Sequence, residues 1–168
     1  MKILDYLFEL RRKILSNFLI IIVAAMVIAV LWQVITRIVL QAPAVWTEET
    51  STYLLMWCGV IGAAYAYGEK AHVGMEYFAR KLDHQKSIIL DLIITILVAY
   101  FAFTILLRGG LNFVNNAFLN NQTTPTMNIP TGYLYLCLPI SGIFILTFSL
   151  EFFIEDFKLL LELRENRT

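Results

Sequence analysis

The segment WTEETSTYLLMWCGVIGAAYAYGEKAHVGMEY, residues 46–77, holds a long uncharged run between two charged flanks. Residues 50–68 carry no charged side chain over 19 positions. At 1.5 Å per residue, a helix of this length is close to the hydrocarbon thickness of a bilayer. We expect Thr47 to cap the helix, with Glu48 and Glu49 in the first turn, where the helix dipole favours carboxylates. The segment therefore predicts a transmembrane helix.

Small residues recur along this predicted helix at spacings of three and four, so they share one face that another helix can approach closely. These residues are Gly59, Gly62, Ala63 and Ala66. Trp57 lies deeper in the predicted span than the tryptophan and tyrosine residues near the span ends. It is predicted to pack at a contact with another subunit. We expect a bulky residue at Gly62 to weaken assembly with a partner.

Three other segments have the same apolar character. Residues 14–36 are uncharged over 23 positions, which is long enough to span a bilayer with some tilt. A cleaved signal sequence is a competing interpretation, but its apolar region is usually shorter. Pro130 suits the start of the last helix, and Pro139 is expected to kink it. The predicted spans are residues 14–36, 50–68, 88–108 and 131–150.

The segments outside the spans are predicted from their periodicity and turn residues. Residues 1–13 and 151–165 alternate apolar and charged side chains at helical spacing, which is typical of amphipathic helices on a membrane surface. Residues 69–86 form a polar connection with room for a short interfacial helix. Gly109 and Gly110, followed by the asparagine-, threonine- and proline-rich residues 112–130, predict a polar loop without a long helix.

The composition supports an all-α integral membrane protein, a single four-helix domain over residues 1–168. The chain is 59% hydrophobic and only 15% charged, with a mean hydropathy of +0.70, too apolar for a soluble domain. Thirteen basic residues balance thirteen acidic ones, so no net positive field favours nucleic acid. Eleven of the thirteen basic residues lie in the terminal segments and in residues 69–86. The positive-inside rule therefore places both termini in the cytoplasm.

The sequence offers little for catalysis or ion transport. No ionisable residue lies deep in a predicted span, which argues against the alternative of an autonomous four-helix carrier or exporter. Cys58 and Cys137 do not form a C-x-x-C pair, which argues against a thiol oxidoreductase. His72 and Glu76 stand four apart, but no third metal ligand accompanies them at suitable spacing. No catalytic, cofactor-binding or metal site is predicted.

Two groups of residues resemble the small membrane subunit, DctQ type, of tripartite ATP-independent periplasmic (TRAP) transporters. The first group comprises Trp46-Thr47-Glu48-Glu49, Tyr53-Leu54, Trp57, Gly62-Ala63 and Ala71-His72-Val73-Gly74. The second is Ile129-Pro130-Thr131-Gly132-Tyr133-Leu134-Tyr135, which resembles the start of that family's last helix. Thr52 departs from the family pattern, because a basic residue often precedes the tyrosine.

The resemblance implies an accessory subunit of the bacterial inner membrane, surrounded by membrane lipid. Its implied partners are a large membrane subunit (DctM or SiaM type), which carries the substrate and sodium sites, and a periplasmic binding protein that delivers an organic acid. A dicarboxylate or sialic acid is the expected substrate. This chain would brace the static scaffold of the large subunit and would hold no cofactor. The expected periplasmic docking face comprises Trp46, Glu48, Glu49, Asn128, Pro130 and Tyr133, with helix capping as the alternative role of the two glutamates.

Overall fold

A computed structural model describes residues 2–42, 44–69 and 84–165 of the chain. Within these ranges the chain is helical apart from short connections, and it contains no β-strand beyond an isolated bridge between Thr123 and Pro130. The prediction of an all-α protein is confirmed. The interfacial helix expected within residues 69–86 falls largely outside the described residues.

The described residues form six α-helices and one π-helical segment. The helices are α1 (Lys2–Ile38), α2 (Val45–Gly68), α3 (His84–Phe101), α4 (Gly110–Leu119), α5 (Thr131–Tyr135) and α6 (Cys137–Glu165), with the π-helical segment Ala102–Gly109 between α3 and α4. No helix boundary separates residues 1–13 from the first predicted span, or residues 151–165 from the last. The location of these two end segments on the membrane surface stays a prediction.

Three helical stretches in the described part of the chain are long and apolar enough to cross a membrane. They are Phe8–Ile38, Ser87–Leu119 and Thr131–Leu161. Helix α2 is 24 residues long but is not among them. Its hydroxyl, tyrosine and glycine residues make its hydropathy lower than that of the three stretches, so the span predicted over residues 50–68 stays a prediction.

Helix α6 is the centre of the packing. Helix α1 packs along α2, α2 along α6, and α6 along both α3 and the π-helical segment. In the most apolar part of each stretch, 50% of residues are buried for Thr131–Leu161, against 11% for Phe8–Ile38 and 17% for Ser87–Leu119. The buried core contains Leu15, Ile61, Ala64, Tyr67, Ala102, Ile145, Phe148 and Phe152.

The helix predicted to end near Arg108 continues to Leu119, so the expectation that residues 112–130 lack a long helix is wrong. Gly109 and Gly110 both keep right-handed helical dihedrals. Aromatic contacts then hold α4 against α5, because Phe113 meets Tyr135 and Phe118 meets Tyr133 at centroid distances of 5.9 and 5.2 Å. Tertiary packing thus outweighs the poor helix propensity of glycine and asparagine.

The predicted disruption near Pro139 occurs three residues earlier in the chain. Helix α5 ends at Tyr135, and α6 begins at Cys137 after the single turn residue Leu136. Pro139 has no N–H to donate to the carbonyl of Tyr135, four residues earlier, while Leu136 between the two helices keeps right-handed helical dihedrals. The helical hydrogen bonding is therefore interrupted at the position where a proline at residue 139 is expected to interrupt it.

Candidate partner-binding surfaces

The first turn of α2 forms differently from the sequence-based expectation. The helix begins at Val45, and Thr47 is already inside it, fully buried. The Thr47 hydroxyl donates to the carbonyl oxygen of Ala44 at 2.6 Å, and no side chain caps the helix. The prediction that Thr47 is the capping residue is therefore wrong. The helix starts earlier because the Thr47 backbone N–H already bonds to the Ala44 carbonyl at 3.1 Å.

Glu49 joins α2 to the connection between α4 and α5. Its Oε2 accepts hydrogen bonds from the backbone N–H groups of Thr126 and Met127, at 3.0 and 3.1 Å. Its Oε1 accepts from the Tyr53 hydroxyl at 3.3 Å. Desolvation raises the pKa of Glu49, but hydrogen bonds from Thr124, Thr126 and the two amides outweigh it, so the pKa lies below its ordinary value. The carboxylate is thus held ionised by this connection.

Residues 123–130 form a compact turn, called here the α4–α5 turn. The Thr124 N–H donates to the Ile129 carbonyl at 2.9 Å, and the Thr124 hydroxyl accepts from the Ile129 N–H at 3.1 Å. Asn128 has φ = 53°, in the left-handed region that asparagine tolerates better than most residues. The turn is therefore held by its own hydrogen bonds as well as by Glu49.

The other residues predicted for the docking face are solvent-accessible. Trp46 is 46% exposed and Tyr133 is 56% exposed. Glu48, Asn128 and Pro130 are also exposed. The hydrogen bonds of Glu49 bring the start of α2 and the α4–α5 turn together at one end of the protein. The sequence did not indicate this junction, because 77 residues separate Glu49 from Thr126.

The small-residue face of α2 is mostly open within this chain. Gly59, Ala63 and Ala66 are exposed, and a Cβ added at Gly59 would meet nothing within 4 Å. At Gly62 the nearest atom to such a Cβ is Cδ2 of Leu19, at an ordinary contact distance of 3.9 Å. Trp57 is partly buried within the chain. Assembly through this face stays a prediction.

The chain's own helices approach most closely at other glycines. A Cβ added at Gly68 would lie 2.8 Å from the Phe148 ring, and one at Gly110 would lie 2.9 Å from Pro139. Gly132 and Gly142 are similarly tight against Phe118 and Leu106. These four positions were missed, because only the small residues in the middle of α2 recur at helical spacing.

Replacing Glu49 with glutamine should loosen the α4–α5 turn, because a neutral amide accepts hydrogen bonds more weakly than a carboxylate. The expected result is faster hydrogen exchange at the Thr126 and Met127 amides, with little change elsewhere. Glu48→Gln is the matched control, since this neighbouring side chain is exposed. Equal exchange rates in the two variants would contradict this role of Glu49.

The same measurement has a defined pH dependence. Because the folded pKa of Glu49 is lowered from 4.5, the protection it provides is complete above pH 4.5. Protection is lost as the pH falls through the lower folded value. Glu49→Gln should show no such transition once intrinsic exchange has been corrected for pH.

Among the described residues, no group of three or more histidine, cysteine or acidic side chains is placed to hold a metal ion. His72 and Glu76, weighed from the sequence as a pair of ligands, lie outside the described residues. Cys58 and Cys137 are both free thiols, and Cys137 is fully buried in the helical packing.

Comparison with known proteins agrees with the resemblance seen in residues 46–74 and 129–135. The profile of the family described as tripartite ATP-independent periplasmic transporters, DctQ component, matches residues 26–159. The chain is 32% identical over 159 residues to the sialic acid TRAP transporter small permease protein SiaQ of Vibrio cholerae, covering 91% of this chain and 89% of that protein. It is 32% identical over 99 residues to the C4-dicarboxylate TRAP transporter small permease protein DctQ of Rhodobacter capsulatus, covering 58% of this chain and 43% of that protein. The chain therefore belongs to the DctQ family, the small membrane subunits of TRAP transporters.

Proposed function

We propose that this protein is the accessory membrane subunit of a sodium-coupled TRAP transporter in the bacterial inner membrane. Its partners would be a large membrane subunit, which carries the substrate and sodium sites, and a periplasmic binding protein. The named relatives serve sialic acid and C4-dicarboxylate systems, so an organic acid is the proposed substrate class. This chain would not bind the substrate itself, and both of its termini would lie in the cytoplasm.

The open small-residue face of α2 is the observation that best supports a subunit contact. Gly59, Ala63 and Ala66 are exposed on a helix whose opposite side packs on α1 and α6. In a bilayer, such a face allows close backbone approach and dispersion contacts that bulky side chains would prevent. We assign this face to the large subunit, with Gly62 at its edge. Trp57, which was predicted for the same contact, lies on the side of α2 that packs on α1, where its ring is 6.0 Å from that of Phe18.

A bracing role has a physical basis in the long helices. Helix α1 has 37 residues and α6 has 29, so they measure about 56 and 44 Å at 1.5 Å per residue. Both exceed the hydrocarbon thickness of about 30 Å. Apolar helices of this length, with charged residues at their ends, resist displacement through the bilayer. They would give the moving element of the large subunit a fixed counterpart.

Replacing Gly59 with leucine should weaken association with the large subunit and leave the isolated chain as stable as before. A leucine at this position meets no atom of its own chain at the Cβ, whereas it would separate two closely packed helices. The measurement is the amount of large subunit that co-purifies with a tagged copy in mild detergent, together with sodium-driven uptake by the reconstituted transporter.

Ala24→Leu is the matched control, because Ala24 is an exposed alanine on α1 and gains similar bulk. Unchanged co-purification of Gly59→Leu would contradict the assignment of this face. If the wild-type chain purified with no large membrane partner, the accessory role itself would be wrong.

A further inference from the structure

Met127 lies in the α4–α5 turn and is exposed at the surface of the protein. The residue is 38% exposed. Met26 and Met56 are half-buried in α1 and α2, within apolar helices. Among the described methionines, Met127 is therefore the one most open to a dissolved oxidant.

The Met127 side chain also lines an apolar cavity. The cavity measures about 350 Å³ and lies between α1, α2, the α4–α5 turn and α5. Phe18, Ile22, Leu54, Trp57 and Leu134 contribute to its lining. A thioether suits these neighbours because it is flexible and nearly apolar.

Only a weak polar contact reaches the Met127 sulfur. The Thr50 hydroxyl lies 3.4 Å from Sδ, but the same hydroxyl lies 2.8 Å from the carbonyl oxygen of Trp46. The hydroxyl has a single proton, and the shorter bond to the carbonyl takes it. An oxygen atom added to the sulfur would thus enter an apolar cavity beside a donor that is already engaged.

We propose that Met127 is an oxidation site that controls how firmly the α4–α5 turn is held on α2. A two-electron oxidant such as hydrogen peroxide transfers one oxygen atom to the sulfur. The O–O bond breaks, the thioether is oxidised to the sulfoxide, and the peroxide is reduced to water. The polar sulfoxide then leaves the apolar cavity, because the two hydroxyl groups that line it, those of Thr50 and Tyr53, already donate to the Trp46 carbonyl and to Glu49. As the side chain moves out, the Met127 and Thr126 amides lose their alignment with Glu49.

The test treats the purified full-length chain in a lipid nanodisc with hydrogen peroxide. Peptide mapping by mass spectrometry follows sulfoxide formation at each methionine, and hydrogen exchange follows the α4–α5 turn. We expect Met127 to oxidise about tenfold faster than Met26 and Met56, because it lies exposed in a connection between helices, whereas they are half-buried within apolar helices. Exchange in residues 123–130 should then rise several-fold.

Met127→Leu is the control, because leucine keeps an apolar side chain of similar size against the cavity and has no oxidisable sulfur. In this variant peroxide should leave exchange in residues 123–130 unchanged. Oxidation of Met127 no faster than that of Met26 and Met56 would overturn the site. Rapid oxidation without increased exchange, or the same increase in Met127→Leu, would overturn its control of the turn.

Discussion

Replacing Glu151 with alanine is expected to lower the free energy of unfolding by about 3–5 kcal/mol, the cost of leaving a buried charge without its partner. The Glu151 side chain is 5% exposed, and its Oε2 accepts from Nη2 of Arg11 at 3.0 Å. Arg11 is only 21% exposed and also lies over the rings of Phe8 and Phe148, at 4.5 and 5.1 Å from their centroids. Without the carboxylate, this cation stays largely buried between α1 and α6.

The measurement is reversible unfolding of the purified chain in mixed micelles, followed by tryptophan fluorescence. The double variant Arg11→Met and Glu151→Leu tests the cause, because an apolar pair of similar size often replaces a buried ion pair at little cost. Arg12 lies farther from Glu151, at 3.9 Å, and is 36% exposed, so water can solvate it in the double variant. We expect the double variant to be more stable than Glu151→Ala. A double variant that is no more stable would show that lost packing, and not the unpaired charge, causes the effect.

Replacing Gly68 with alanine should destabilise the chain by about 1–3 kcal/mol, the usual range for overpacking a core. The new Cβ would lie 2.8 Å from two atoms of the Phe148 ring, closer than side chains normally approach. Phe148 is fully buried, and the Arg11 guanidinium lies over its ring, so the ring has little room to move away. The same unfolding assay measures this effect.

Gly59→Ala is the matched control on the same helix, because a Cβ at this position meets nothing within 4 Å. We expect it to be at least as stable as the wild type. Combining Gly68→Ala with Phe148→Leu should cost less than the sum of the two single changes, since the smaller side chain relieves the contact. Additive effects would contradict a direct clash between these two residues.

Prediction from the sequence succeeded where the signal is local. The uncharged run in residues 14–36 and the apolar runs near residues 88–108 and 131–150 all fall in helices that are apolar enough to cross a membrane. Residues 46–74 and 129–135 also indicated the DctQ family, which the comparisons confirm. These signals depend only on side-chain type and spacing along the chain.

Prediction failed where a distant contact decides the outcome. Gly109 and Gly110 predicted the end of a helix, but the helix extends to Leu119 because α4 packs on α5. Glu49 was weighed as a capping or docking residue, and neither role indicated that its carboxylate binds the amides of Thr126 and Met127. In each case the partner lies too far along the chain to leave a local pattern.

The sequence by itself determined that this protein is a helical membrane protein of the DctQ family. Transfer of apolar residues from water into hydrocarbon is favourable one segment at a time, so hydropathy and charge are sufficient to indicate a helical membrane protein. The family is indicated by the resemblance in residues 46–74 and 129–135. Only the tertiary structure decided that Arg11 pairs with Glu151 and that the Phe148 ring packs directly against Gly68. It also decided that the small-residue face of α2 is left exposed. These contacts depend on the rotation and depth of each helix against its neighbours. Close packing of all the helices together sets the rotation and depth of each one, so neither can be predicted from a single segment of the sequence.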